Sequence, residues 1–268
     1  IPLNSITVLS APPTTYKTWV LLEMALKVAT GRKVFEEFET SNEKHGVLII
    51  NEENWQGMMR KRLHALIEEE IAGNGLEKVK IYFYNLAGIK IVNEKVLNHL
   101  LSFCKNNNIK LIIFDSFVRI HNADENSATE VSKVFDQLKK LQKENITILF
   151  THHHRKQGLF KPNNMSENMR GSGDILASVD CHLMIEKKKL NDNETLVIYQ
   201  PKQRLDSEIE PFKVKIIRDE SYTKFIYDGA YSEEDEKSSK IESYKPELME
   251  YINNNPGANT TELVQAFD

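Results

Sequence analysis

Three stretches of this chain are almost continuously apolar: Val47-Leu48-Ile49-Ile50, Leu111-Ile112-Ile113-Phe114 and Ile146 to Phe150. A strand with one wet face alternates apolar and polar residues, so runs of this kind predict strands buried on both faces, in a mostly parallel sheet covered by helices. The intervening segments have helical spacing. Leu21, Leu22, Ala25, Leu26 and Ala29 recur after Lys17, and Gly31 ends that helix. Trp55 to Ile71 and Asn93 to Phe103 read as helices. Ser127 caps a third that carries Val131, Val134, Phe135, Leu138 and Leu141 on one face. Shorter apolar runs at Ile6 to Leu9 and Val79 to Tyr84 complete the pattern. Strands alternating with helices predict an α/β domain. Its 268 residues allow one large domain of this kind with a small appendage.

In such sheets, ligands bind beyond the carboxyl ends of the strands. Polar groups collect there. The first strand runs into Ala11-Pro12-Pro13-Thr14-Thr15-Tyr16-Lys17-Thr18-Trp19, the strand, tight loop, Lys-Thr and helix of a phosphate-binding P-loop. The pattern G-x-x-x-x-G-K-[ST] is met at Lys17 and Thr18, but Ala11 and Tyr16 stand at its two glycines. Glycine permits positive φ and lets backbone N–H groups close on phosphate. Tyr16 is therefore expected to keep a helical or near-helical φ, with its ring free to shield or stack on a nucleotide. The second strand ends in Asn51-Glu52-Glu53, the fourth in Asp115-Ser116 and the fifth in Thr151-His152-His153-His154. Lys17 is the expected phosphate contact, and Thr18 and Asp115 are the expected Mg²⁺ ligands. Glu52 is the first candidate for polarising an attacking water and Glu53 the second. His152 is a candidate for sensing the γ-phosphate. A three-histidine metal site is not expected, because neighbouring residues of an extended chain point to opposite faces.

The order and spelling of these segments resemble a RecA-like ATPase domain of the group that contains the plasmid RepA-type hexameric helicases, and more distantly the DnaB-type replicative helicases. Four stretches carry the resemblance: residues 11–19, Leu48 to Glu53, Phe114-Asp115-Ser116 with Asp124-Glu125-Asn126, and Phe150 to Lys156, with Arg170-Gly171-Ser172 following. It covers roughly residues 1–230 and implies ATP and Mg²⁺ as ligands, a hexameric ring and a single-stranded DNA partner. Pro201-Lys202-Gln203-Arg204 is similar to the Lys-x-Arg of the DnaB-like group. The resemblance makes Lys202 and Arg204 candidate fingers acting on a neighbouring subunit's nucleotide, with a solvated basic turn as the other reading. Arg170 is an alternative finger or a loop anchor.

The remaining sequence adds a second region. His182 to Ile185, Thr195 to Tyr199, Phe212 to Ile217 and Lys224 to Tyr227 read as short antiparallel strands. Residues 231–240 read as a charged linker. Tyr244 to Asn254 and Thr260 to Phe267 read as two helices opening a winged-helix or helix-turn-helix unit over 241–268. Both chain ends read as cuts in a longer protein. The net charge of −4 gives no global basic field, so nucleic-acid contacts are expected from local patches: Arg119 and His121 after the fourth strand, and Arg155, Lys156, Lys161 and Arg170 in the polar segment after the fifth. No apolar run reaches membrane-spanning length. Cys104 and Cys181 sit in apolar patterns without metal or redox spacing and read as reduced core residues of a cytoplasmic protein. Three functions stay open on the sequence: a ring-forming DNA motor or helicase, a RecA-like switch or loader that does not unwind, and a degenerate P-loop scaffold or DNA-binding module.

Overall fold

The computed structural model describes residues 1–41, 43–67, 79–154, 173–190, 193–257 and 259. Among these residues, nine strands form one sheet in the order β3-β2-β4-β5-β1-β6-β7-β8-β9. The strands are β1 (Ile6–Ala11), β2 (Gly46–Asn51), β3 (Ile81–Asn85), β4 (Ile109–Asp115), β5 (Thr147–His153), β6 (Cys181–Leu190), β7 (Asn193–Gln203), β8 (Phe212–Arg218) and β9 (Thr223–Ala230). β3 through β6 in that order pair in parallel, and β6 through β9 pair antiparallel. This is the RecA-like architecture expected from the sequence: a mostly parallel sheet with an antiparallel extension.

The inner parallel strands β1, β2, β4 and β5 are buried on both sides, as their apolar runs require, while the edge strand β3 is half-buried. Leu9, Val47, Ile49, Leu111, Ile113 and Leu149 face one core layer, beneath α1 (Lys17–Thr30) and α2 (Gln56–Leu66). Their strand neighbours Val8, Leu48, Ile50, Ile112, Phe114, Ile148 and Phe150 face the other. That second layer lies beneath α3 (Glu94–Asn106) and α4 (Ala128–Lys143). All five apolar residues expected on the buried face of α4 are buried, and Ser127 caps its first turn. Gly31 ends α1 in the left-handed region at φ 66°, its N–H bonded to the Lys27 carbonyl. Both cysteines are buried and free.

Between α1 and β2, Val34 and Phe38 form an isolated antiparallel bridge. One local expectation is corrected. The acidic run from residue 233, read as a linker, lies inside the 22-residue helix α6 (Glu233–Asn254); α5 is the short helix Gly173–Ser178. Ser232 and Asp235 form a capping box, and acids in a first helical turn complement the helix dipole. Lys213 holds Asp235 at 2.7 Å, and Lys188 bonds Glu236, which fixes this turn against the sheet. The expected helix at 260–267 lies outside the described residues. Among the described residues, no helix is long and apolar enough to cross a membrane.

Candidate nucleotide-binding site

Sheet order places the carboxyl ends of β2, β4, β5 and β1 side by side, with Asn51 level with Asp115, and Ser10 and Ala11 level with His152 and His153. Ala11, at the first glycine of the P-loop pattern, is the last residue of β1 and needs no positive φ there. The departure that matters is at Tyr16. It adopts φ 52°, ψ 13°, the left-handed conformation that glycine takes at no steric cost, and Thr14 also lies at φ 62°. This corrects the expectation of a helical φ. The Tyr16 ring packs edge-on against Phe225 with centroids 6.2 Å apart, and its hydroxyl donates to Glu194 Oε2 at 2.5 Å. It is turned toward the antiparallel extension.

Lys17 Nζ donates to the carbonyls of Ala11 at 3.1 Å and Pro12 at 2.8 Å, so the ammonium lies under the loop. Burial lowers its pKa from the usual lysine value, against the pull of Asp115 and Glu53. Thr18 Oγ1 donates to Asp115 Oδ2 at 2.9 Å, and Thr151 Oγ1 donates to Asp115 Oδ1 at 2.8 Å. Asp115 is 2% exposed, and burial raises its carboxyl pKa above the ordinary carboxylate range. The Asp115–Ser116 peptide is cis. A buried carboxylate joined to a threonine hydroxyl is a hard oxygen donor pair, which fits Mg²⁺ better than a softer metal.

The acidic pair after β2 divides. Asn51 Oδ1 accepts from the N–H of Asn54 at 3.1 Å, a side-chain turn that shapes the loop. Within it, Glu52 points away from the phosphate loop: its carboxylate accepts from the N–H groups of Gly88 at 3.1 Å and Ile89 at 3.0 Å. The first-choice acid is therefore occupied in tethering the loop after β3. Glu53 takes the position facing the site. It bonds Ser116 Oγ, lies 3.5 Å from His153 Nε2 and acts electrostatically on Lys17 and Asp115. The His153 hydrogen bond holds its carboxyl below the usual value, against burial and with help from Ser116.

His152 also departs from expectation. Its Nε2 meets Glu125 Oε1 at 3.1 Å and its Nδ1 meets the His153 carbonyl at 3.0 Å, so both ring nitrogens are engaged below the sheet end. His153, the next residue and on the other face, is the histidine beside Glu53. His121 is buried at 3% exposure against Phe117, and burial lowers its pKa, which removes it from the expected basic patch. Arg119 stays exposed in the 3₁₀ turn Phe117–Arg119. Arg155, Lys156, Lys161 and Arg170 lie outside the described residues.

Two arginines escaped the sequence reading. Arg62 of α2 and Arg218 of β8 lie over the ring of Trp19, 5.7 Å and 5.6 Å from its centroid, one residue beyond Thr18. Arg62 also feels the Asp115 charge. Neither belongs to a motif, and only folding brings them to α1. A pair of histidines, His182 buried and His154 half-buried, was missed for the same reason: Ser10 Oγ lies 3.0 Å from His154 Nε2 and 2.7 Å from His182 Nε2.

The candidate fingers sit at the other edge. Gln203 pairs with Cys181, which pairs with Thr7, so the end of β7 lies four residues of strand, about 13 Å, below the P-loop. There Lys202 Nζ bonds the Leu176 carbonyl and Arg204 donates to the Ala177 carbonyl at 2.7 Å, at the end of α5. Neither reaches the phosphate loop of its own chain.

The AAA domain family matches residues 1–158, more than half of the chain, from before β1 to beyond β5. The chain belongs to the AAA domain family. Its matched segment holds Lys17, Thr18, Glu53, Asp115 and His153, and excludes the antiparallel extension with Glu194, Lys202 and Arg204. Among solved structures, this AAA domain is similar to an ATPase domain of known structure, with a TM-score of 0.62 and 16% identity over 84% of this chain and 85% of that one. It is also similar to the flagellar accessory protein FlaH from Methanocaldococcus jannaschii, with a TM-score of 0.58 and 12% identity over 87% of this chain and 92% of that one. At these identities the likeness is one of fold, and the fold is that of RecA-like P-loop ATPases. No curated protein matches the chain.

Proposed function

We propose that this AAA domain is an ATP-hydrolysing motor of the RepA type that works as a ring of copies on single-stranded DNA. The observation that carries the proposal is the meeting at one sheet edge of Lys17 and Thr18 from the first turn of α1, Asp115 from the end of β4 and Glu53 from the loop after β2. Lys17 holds the triphosphate, and Thr18 and Asp115 hold Mg²⁺. The bound metal neutralises phosphate charge during transfer. Glu53, kept ionised beside His153, takes the proton of the attacking water and so assumes the role first assigned to Glu52. Glu52 anchors the loop at Gly88 and Ile89. His153 is better placed than His152 to report on the γ-phosphate, through its contact with Glu53.

Lys202 and Arg204, remote from their own phosphate loop, act on the nucleotide of a neighbouring copy. A cation delivered across the subunit boundary stabilises charge that develops in the transition state and couples turnover to assembly. Arg119 contributes to a salt-sensitive DNA surface together with the basic residues after β5. The ATPase unit spans residues 1–230, and the chain beyond 241 belongs to a winged-helix-like unit in a cytoplasmic protein.

The test is MgATP turnover of the purified chain and of Lys17→Ala, with and without single-stranded DNA, alongside the oligomer mass with and without nucleotide. Turnover that Lys17→Ala abolishes, together with a nucleotide-dependent mass near six copies, supports the motor. A parent chain without turnover refutes it in favour of a scaffold. DNA-stimulated turnover without strand separation refutes unwinding and leaves a switch or loader.

A further inference from the structure

The phosphate loop lacks its second glycine but keeps the glycine's backbone shape, and something must hold it there. A non-glycine residue in the left-handed region is disfavoured because its Cβ crowds the backbone. Left to itself, Tyr16 would spend most of its time at negative φ and open the loop. Three contacts from outside the loop oppose this. The hydroxyl donates to Glu194 Oε2 at 2.5 Å. The ring meets Phe225 edge-on at 6.2 Å. The guanidinium of Arg218, itself stacked on Trp19, lies against the same phenol. Glu194 is fixed in turn, since its other oxygen accepts from Lys187 Nζ at 2.7 Å across the β6–β7 hairpin. Burial, and then the Glu194 carboxylate, raises the Tyr16 pKa above the usual phenol value, so the hydroxyl keeps the proton that it donates.

We propose that Glu194 is a positioning residue for nucleotide binding: through the Tyr16 hydroxyl it holds the Tyr16 backbone in the left-handed conformation that a P-loop ordinarily obtains from glycine. The inference rests on the reading of residues 11–18 as a working phosphate loop. It gives the antiparallel extension, which lies outside the matched AAA domain segment, a part in the P-loop itself. The loop is preorganised by a neighbouring hairpin instead of by its own sequence. Glycine at the same position would need no such support.

The experiment is a double-mutant cycle on MgATP affinity, measured by calorimetry, with thermal unfolding of each nucleotide-free protein as the stability readout. Glu194→Ala and Tyr16→Phe each remove the hydroxyl–carboxylate bond. Releasing Tyr16 to negative φ should weaken MgATP binding roughly five- to thirtyfold in either variant, and no further in the double variant. Glu194→Gln, which retains an acceptor oxygen, should recover most of the affinity. In the Tyr16→Gly background, Glu194→Ala should change affinity less than twofold. That last result separates positioning from general stabilisation, because a merely structural Glu194 would matter equally in both backgrounds. The inference is overturned if Glu194→Ala binds MgATP like the parent, if its effect persists beside Tyr16→Gly, or if Tyr16→Gly alone abolishes binding. A parent chain that binds no MgATP overturns the functional reading and this inference together, whereas a binding parent with unaffected variants overturns the inference alone.

Discussion

Exchanging the two acids after β2 one at a time separates catalysis from scaffolding within a single dipeptide. Glu53→Gln removes the ionised carboxylate that faces Lys17 and Asp115 but leaves an amide that still accepts from Ser116. Loss of a general base costs about 10²- to 10⁴-fold in kcat, which is about 3–5 kcal/mol of barrier. Affinity should stay within a fewfold, because Lys17, Thr18 and Asp115 are untouched. Glu52→Gln acts elsewhere. Its carboxylate accepts from two backbone N–H groups, at 3.1 Å and 3.0 Å, and glutamine retains only one acceptor oxygen without charge. The expected loss is about 1–2 kcal/mol of stability, or a fall of roughly 2–8 °C in Tm, with turnover within about threefold of the parent. Single-turnover hydrolysis of MgATP gives the rate, and calorimetric unfolding gives the stability. If Glu52→Gln abolished hydrolysis while Glu53→Gln turned over normally, the assignment of the two acids by their hydrogen-bond partners would be wrong.

The other predictions concern the opposite edge, the two histidines beside Ser10 and the second core layer. Arg204→Ala should lower turnover by at least about tenfold with MgATP affinity nearly intact, and mixing it with Lys17→Ala subunits should restore partial turnover, since each supplies what the other lacks; loss of affinity alone would refute the finger role. Burial lowers the pKa of His154 to about 4 and of His182 to about 3, with the ammonium groups of Lys17 and Lys202 respectively acting in the same direction. Both therefore stay neutral in the folded state while the unfolded chain binds protons below about pH 6.5, so each makes stability fall by about 1.4 kcal/mol per unit as the pH drops from there toward its folded value. Urea unfolding of His182→Asn should show a shallower acid limb than the parent, and an identical limb would refute this account. Phe117 is fully buried and packs 4.6 Å from the rings of both Phe150 and His121, so Phe117→Ala should cost about 3–5 kcal/mol in urea unfolding. A cost below about 1 kcal/mol would show that the layer under α4 repacks.

The sheet, its two covered faces and the edge where polar groups gather could be read from the order of residues alone. Burial on both sides demands unbroken apolar runs, helix faces repeat at their own period, and the polar residues that end such runs must emerge at the ligand edge. The meeting of Lys17, Thr18 and Asp115 at that edge was legible because each placement follows from position on one strand or helix. What lies beside what was not legible. Glu52 and Glu53 are adjacent, as are His152 and His153, and an extended chain sends neighbours to opposite faces; which face meets the phosphate loop depends on β4, β5 and the loop after β3, all distant in sequence. The turn at Ser232 shows a smaller failure, where acids suited to a helix start resemble a solvated linker. The left-handed Tyr16 is the clearest case of a tertiary decision. Its own chemistry argues against that backbone, and only Glu194, Arg218 and Phe225, brought in by three strands at the far side of the sheet, make the conformation the one that persists.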